Sequence, residues 1–330
     1  MQHAPTQSAK QMVISTYWLG FQQTEHAVNK PYLPSHLIAA GALALASVSA
    51  HAGSVSSIQT GLSVVIHDAS GAQWDLSQEL AQFLVPDLQQ GTVTLQAPTS
   101  AMADADGIWT PNATTTVNGQ TVTGLGWHSW LKADGSSNTV ADANAPWAAS
   151  LIVTHLGGLI DPSMDYGFYV KNNTAGTQTY SVTYNQSIEP TVFGAYTLEA
   201  HLAGALTNTD GATVLAPTGS ASLLQQVQLS SDGGLTYVNA GVDLGPGASV
   251  GAYAGTYGPY SAQTSGVAPS AGFNHWRFMT SFALSGNQDV FVASGSTTIT
   301  AVPEPSTIWL ALGAMGVFIA LRSRRAPTLT

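Results

Sequence analysis

The chain has 330 residues, of which 8% are charged and 44% hydrophobic, with a formal net charge of −10 and no cysteine. Charge is about a third of the share usual in soluble domains, and the missing cysteine excludes disulfides, thiol catalysis and thiolate metal sites together. Between Gly53 and Ala301 the basic residues Lys132, Lys171 and Arg277 stand against 16 Asp and Glu, a balance of −13, which sets the segment against phosphate backbones and hence nucleic acids.

Residues 1–52 read as an extended secretory signal. Leu37 to Val48 is an apolar run of 12 residues, with Lys30 and His36 upstream, and it ends at Ala50-His51-Ala52. That small-x-small site is the kind signal peptidase reads, placing cleavage between Ala52 and Gly53. The run is short of the roughly 20 residues of an ordinary membrane span. The 36 residues before it exceed a usual n-region, so the start is either Met1 with an extended signal or Met12.

Residues 53–301 form the body. Gly, Ser, Thr, Ala, Asn and Gln replace charge there, and the aromatic and β-branched content is that of a packed chain rather than a disordered one. In chain order, the first element is a helix over Asp75–Leu84, with Asp75 as cap, Leu76, Leu80 and Phe83 on one face, and Pro86 closing it. Asn118-Gly119 lies between Thr/Val runs in Thr114–Thr123 and predicts a tight hairpin. Gly124-Leu125-Gly126 reads as a loop without phosphate context. Tyr166, Phe168 and Val170, then Tyr180, Val182 and Tyr184, alternate with polar residues as strands do, and Lys171–Gly176 is their connecting turn. Tyr196, Leu198, Ala200 and Leu202 share one face of a long strand. Asp232-Gly233-Gly234 predicts a second hairpin within Val227–Val238, and Trp276, Phe278, Thr280, Phe282 and Leu284 form a late apolar strand face. The expected fold class is all-β: an antiparallel, jelly-roll-like β-sandwich with one short helix. A split near residues 97–106 or 141–146 is the alternative to a single body.

Chemical motifs are sparse. Asp104-x-Asp106-Gly107 is a fragment of a calcium loop, but Thr115 stands where the bidentate Glu belongs, and a solvated acidic loop accounts for it as well. Glu199 and His201 fall on one strand face, whereas adjacent His67 and Asp68 point to opposite faces. No nucleophile elbow, Walker loop, dinucleotide fingerprint or zinc-protease helix occurs. No metal or cofactor is expected. Trp109, Trp127, His128, Trp130 and Trp147 form an aromatic cluster in Gly- and Asn-rich sequence. Exposed, these rings would stack on sugars beside hydroxyl-binding amides; otherwise the tryptophans are core.

The C-terminal end reads Val302-Pro303-Glu304-Pro305-Ser306-Thr307, then apolar Ile308 to Leu321, then Arg322-Ser323-Arg324-Arg325. The prolines hold an extended, protease-accessible segment. The 14 apolar residues reach about 21 Å as a helix, so a transmembrane helix over 306–321 needs Ser306, Thr307 and snorkelling arginines to span. Arg322, Arg324 and Arg325 fix its end in the cytoplasm. This ordered pattern resembles the PEP-CTERM sorting signal of Gram-negative bacteria, whose carriers are handled by an exosortase, a membrane protease, usually in bacteria that secrete exopolysaccharide. The resemblance spans about 25 residues of the tail, 302–330. It implies an exported protein with an inner-membrane intermediate, destined for the cell surface or the extracellular space. A non-enzymatic surface or matrix protein with exopolysaccharide as partner is the expected function. A secreted carbohydrate-active enzyme, a glycosidase or lyase, is the alternative.

Overall fold

In a computed structural model of the chain, the residues described are 57–136, 147–208, 213–218, 223–250, 255–302 and 313–315. The expected signal segment and cleavage site, and the expected membrane helix apart from helical Gly313–Met315, lie outside these residues. Among the described residues no helix is long and apolar enough to cross a membrane.

Two antiparallel sheets share the strands, and the chain passes repeatedly between them. β1 (Thr60–Asp68) and β2 (Gln73–Asp75) open sheet one, followed by the helix α1 (Ser77–Ala81). Sheet two then takes β3 (Leu84–Asp87), β4 (Thr92–Leu95), β5 (Met102–Ala103), β6 (Gly107–Val117), β7 (Gln120–Ser129), β8 (Ala149–Leu159) and β9 (Ser163–Asn172). From there the strands alternate. β10 (Gln178–Val192) lies in sheet one and β11 (Ala195–Thr207) in sheet two. β12 (Thr213–Pro217), β13 (Gln225–Ser230), β14 (Val238–Asn239) and β15 (Ala248–Val250) return to sheet one. β16 (Gly255–Val267), β17 (Phe273–Leu284) and β18 (Asp289–Ala301) fall in sheets two, one and two. Sheet one runs β14-β13-β17-β10-β1-β2, with β12 also on β17; sheet two runs β16-β11-β18-β9-β8-β7-β6-β5, with β4 beside β8.

Alternation in the sequence becomes the two faces of each sheet. In β17, Trp276, Phe278, Thr280, Phe282 and Leu284 are buried while Arg277, Met279, Ser281 and Ala283 are half-exposed, the period-two pattern of a strand covered on one side. Rings from both sheets meet between them: Tyr166 stacks on Phe278 at 4.4 Å, Phe168 on Phe282 at 5.9 Å, and Phe282 meets Phe291 edge-on at 5.0 Å. One buried cluster draws residues from Val64 to Ile299.

The Asn118-Gly119 hairpin forms, with φ of 51° and 80° and Val117 opposite Gln120, the positive angles that a two-residue turn between twisted strands requires. Strands β13 and β14 pair around the Asp232-Gly233-Gly234 loop, where the Asp232 carboxylate accepts from the amides of Leu235 and Thr236 at 3.1 and 2.9 Å. The Lys171–Gly176 turn joins its two runs by crossing from sheet two to sheet one. Buried Asn172 fastens it, its amide donating to the carbonyls of Gly176, Leu284 and Ser285 at 2.8, 3.0 and 3.1 Å.

Two expectations are corrected. The helix spans five residues rather than Asp75–Leu84, because Leu84–Asp87 pairs with β4 as strand β3, Pro86 included; strand pairing outweighs local propensity. Gly124-Leu125-Gly126 is strand, not loop. A Cβ on Gly124 would lie 2.2 Å from the Val153 carbonyl oxygen, so glycine is what lets β7 cross β8 that closely.

Candidate functional site

The five aromatic candidates divide between the two faces of sheet two. Trp109 and Trp127 are 1% and 0% exposed and pack inward with Phe83 and Trp74 at 5.7 and 6.1 Å. They present no face to a sugar, and their part in a glycan site is withdrawn: strand parity turns them into the core while their neighbour His128 points out. His128, Trp130 and Trp147 come together on the outer side, half-buried. His128 stacks on Trp147 at 5.6 Å with 18° between planes, and Trp130 meets Trp147 edge-on at 6.3 Å. His128 Nδ1 lies 2.8 Å from Ser150 Oγ, and burial lowers its pKa below the usual imidazole value.

Asp104 serves a turn. Its Oδ1 accepts from the amides of Asp106 and Gly107 at 2.9 and 2.6 Å, its Oδ2 accepts from the Trp109 indole at 2.9 Å, and its carbonyl accepts from the Trp130 indole at 2.9 Å. Asp106 is raised above the usual carboxylate range, first by desolvation and then by Asp104 and Asp75. No set of three or more His, Asp or Glu side chains able to hold a metal occurs among the described residues. Asp104, through its carboxylate and its carbonyl, is thus a clasp that positions two tryptophans.

The outer face of sheet two has three zones along β8, marked by Ser150, Ile152 and His155. The first is the His128–Trp147 stack. Over the second, Ala113, Val117 and Val122 of the β6–β7 hairpin lie on Ile152, Tyr169, Val290 and Val292. A register shift between Thr110 and Ala113 folds the hairpin down, and Asn118 Oδ1 accepts from Thr207 Oγ1 at 3.1 Å.

The third zone is an open groove of about 420 Å³ lined chiefly by His155, Asp165, His201, Tyr260, Ser294 and Ser296. Strand register assembles it: Asp165 is opposite Ser296, Ser296 opposite His201, and His201 opposite Ser261. His155 Nε2 lies 3.7 Å from Asp165 Oδ2, with both side chains about half exposed. The imidazole rests over Gly167, where a Cβ would come within 2.3 Å of the ring. Glu199 shares the His201 face, as its spacing predicts, but its carboxylate accepts from Gln263 Nε2 at 2.8 Å rather than pairing with His201. Sequence reasoning misses His155, Asp165 and Ser296. The Asp161-Pro162 turn between two strand-like runs is the local signal that pairs β8 with β9 and brings His155 near Asp165. Ser296 arrives from more than 100 residues away, and no local signal marks it.

The sorting motif starts where the fold stops. β18 ends at Ala301; Val302 still donates its amide to the Ala195 carbonyl at 2.8 Å and is 43% exposed. The rest of the motif, Pro303 to Thr307, and the arginines Arg322, Arg324 and Arg325 lie outside the described residues, as do Ala50, Ala52 and Gly53.

No match exists among curated protein sequences. Among solved structures, one similar chain is the enzymatically active domain of bacteriophage CBA120 tailspike protein 4, at 13% identity and a TM-score of 0.21; the likeness covers 42% of this chain and only 18% of that one. Another is infectious bursal disease virus Gt strain, at 11% identity and a TM-score of 0.15, covering 84% of this chain and 70% of that one. At these TM-scores neither carries an argument about this chain. The family profile described as the PEP-CTERM protein-sorting motif matches residues 301–325. With its three-part tail following directly on the last strand, the chain carries a PEP-CTERM protein-sorting motif, which supports export across the membrane and sorting by an exosortase.

Proposed function

We propose that the body is a non-enzymatic jelly-roll that works at the cell surface or in the extracellular matrix, binding exopolysaccharide along the outer face of sheet two. The strand orders support the jelly-roll. Taking β9, β10, β11, β13, β14, β16, β17 and β18 as its eight strands, one sheet runs β9-β18-β11-β16 and the other β10-β17-β13-β14. That is the interleaving of two Greek keys, with β1–β2 and β8–β5 extending the two sheets. Signal peptidase would release the chain after Ala52, and the segment 306–321 would hold it in the inner membrane until the exosortase acts.

The observation that carries the binding reading is the composition of the groove. It is open, sets serine hydroxyls and two imidazoles beside the Tyr260 ring and apolar Leu202, Ala203 and Pro259, and its single lining carboxylate faces His155. Sugar recognition uses such hydroxyl partners beside an aromatic surface. Glycoside hydrolysis ordinarily needs two carboxylates flanking the scissile bond, so the lining favours binding over turnover. The test is a glycan panel presented to the full chain and to His201→Ala and Tyr260→Ala variants. Binding that both variants weaken, without product release, supports the reading. Released oligosaccharide would favour the carbohydrate-active enzyme, and a panel with neither binding nor turnover would refute both.

A further inference from the structure

The body holds only three basic residues, and one of them stands in the middle of the outer face of sheet one. The register forms a row across five strands: Gly61 on β1, Asn185 on β10, Arg277 on β17, Gln228 on β13 and Asn239 on β14. The Arg277 guanidinium carbon lies 4.0 Å over the centre of the Tyr237 ring, and its Nε donates to Gln228 Oε1 at 2.7 Å. The Asn185 amide lies over Gly61, where a Cβ would come within 2.4 Å of it. Below runs a second row of Ser63, Thr183, Met279 and Gln226.

Two features distinguish Arg277 from an ordinary surface cation. Although the body carries 16 carboxylates, Arg277 makes no ion pair among the described residues, and its two terminal nitrogens have no acceptor there. Its side chain is nevertheless held in place, by the ring below and by the Gln228 oxygen. A fixed guanidinium with its outer N–H groups unused is a preorganised fork for a carboxylate. The flanking amides of Asn185, Gln228 and Asn239 and the hydroxyls of Ser63 and Thr183 match the hydroxyls of a sugar.

Acidic neighbours set the ligand's charge density. Asp232 is close enough to act on Tyr237, and Asp243 accepts from Asn239 Nδ2 at 2.8 Å. One cation between two carboxylates accommodates one negative charge and repels a second beside it.

We propose that the Arg277 row is a second saccharide-binding site, specific for a glycan in which a carboxylated sugar alternates with neutral ones. The idea rests on the saccharide-binding reading of the protein but not on the groove of sheet two, which lies on the opposite outer face. With two such faces one molecule would hold two polysaccharide chains together.

The experiment measures binding of a hyaluronan octasaccharide, which alternates glucuronate with a neutral sugar, to the full chain in mild detergent. Controls are the same octasaccharide with its carboxyl groups reduced, and polygalacturonate. The expected result is binding to hyaluronan at least tenfold tighter than to either control. Arg277→Met should remove that preference and Arg277→Lys should keep part of it, since a lysine retains charge without the fork. His201→Ala should leave the preference intact, which separates failure here from failure of the groove. Should Arg277→Met perturb the fold through Tyr237, Asn185→Ala supplies a milder test and should weaken hyaluronan binding severalfold. Equal affinity for native and carboxyl-reduced octasaccharide, or an unchanged preference in Arg277→Met, would overturn the proposal.

Discussion

Replacing Asp104 with alanine removes acceptors for three donors at once: the amides of Asp106 and Gly107 and the indole of Trp109. The indole belongs to a ring 1% exposed, so its N–H is left without a partner in a dry setting, at about 1–3 kcal/mol. The two turn amides are part-buried and partly recover water, so each is worth about 0.5–1 kcal/mol. The sum is about 2–5 kcal/mol, which in a body of this size lowers Tm by roughly 4–20 °C. Asp104→Asn should cost less, because Oδ1 still serves the turn while the amide nitrogen now opposes the indole N–H. Thermal unfolding followed by near-UV circular dichroism reads both the stability and the tryptophan environment. A Tm within about 2 °C of wild type in Asp104→Ala, together with a wild-type Tm that drops in chelator, would refute the clasp and favour the calcium loop.

Two further outcomes follow from the same geometry. Burial lowers the pKa of His128, and burial likewise lowers His275, so the unfolded chain binds protons that the folded one resists. Stability should hold above the ordinary imidazole value of about 6.5 and fall as pH drops below it; Tm measured from pH 7.5 to 5 should decline, less steeply in His128→Gln. Gly124→Ala puts a methyl 2.2 Å from the Val153 carbonyl, so β7 must separate from β8. Chemical denaturation should show a loss of about 2 kcal/mol or more, in the range of other overpacking changes, and a loss under about 0.5 kcal/mol would contradict the close approach.

What could be read in the sequence was whatever repeats locally. The alternation of Trp276 to Leu284 exposes a buried face because a strand covered on one side leaves a period of two, and Asn118-Gly119 marks its hairpin because few pairs tolerate two positive φ angles. The tail is legible for a related reason: its chemistry is linear, with each part beside the next. Short helices fare worse. Asp75 to Leu84 has a helical face, yet pairing with β4, which propensity does not see, claims its end. The tryptophans show the limit on the site. Trp127 and His128 are adjacent and share composition, but one lies in the core and the other outside it, and only register against Leu151 and Ser150 decides which. The groove is non-local throughout, since His155, His201 and Ser296 meet only through strands β8, β9, β18 and β11.

The account turns on the tail as a processing signal rather than a permanent anchor, and intact mass of the mature protein from an exosortase-bearing host tests it most directly. The predicted result is a chain lacking Ile308 to Arg325 in wild type. With Pro303, Glu304 and Pro305 replaced by alanine, the chain should keep the tail and stay in the inner membrane. Mature wild-type protein that still carries Ile308 to Arg325, at the same location as the alanine variant, would contradict it.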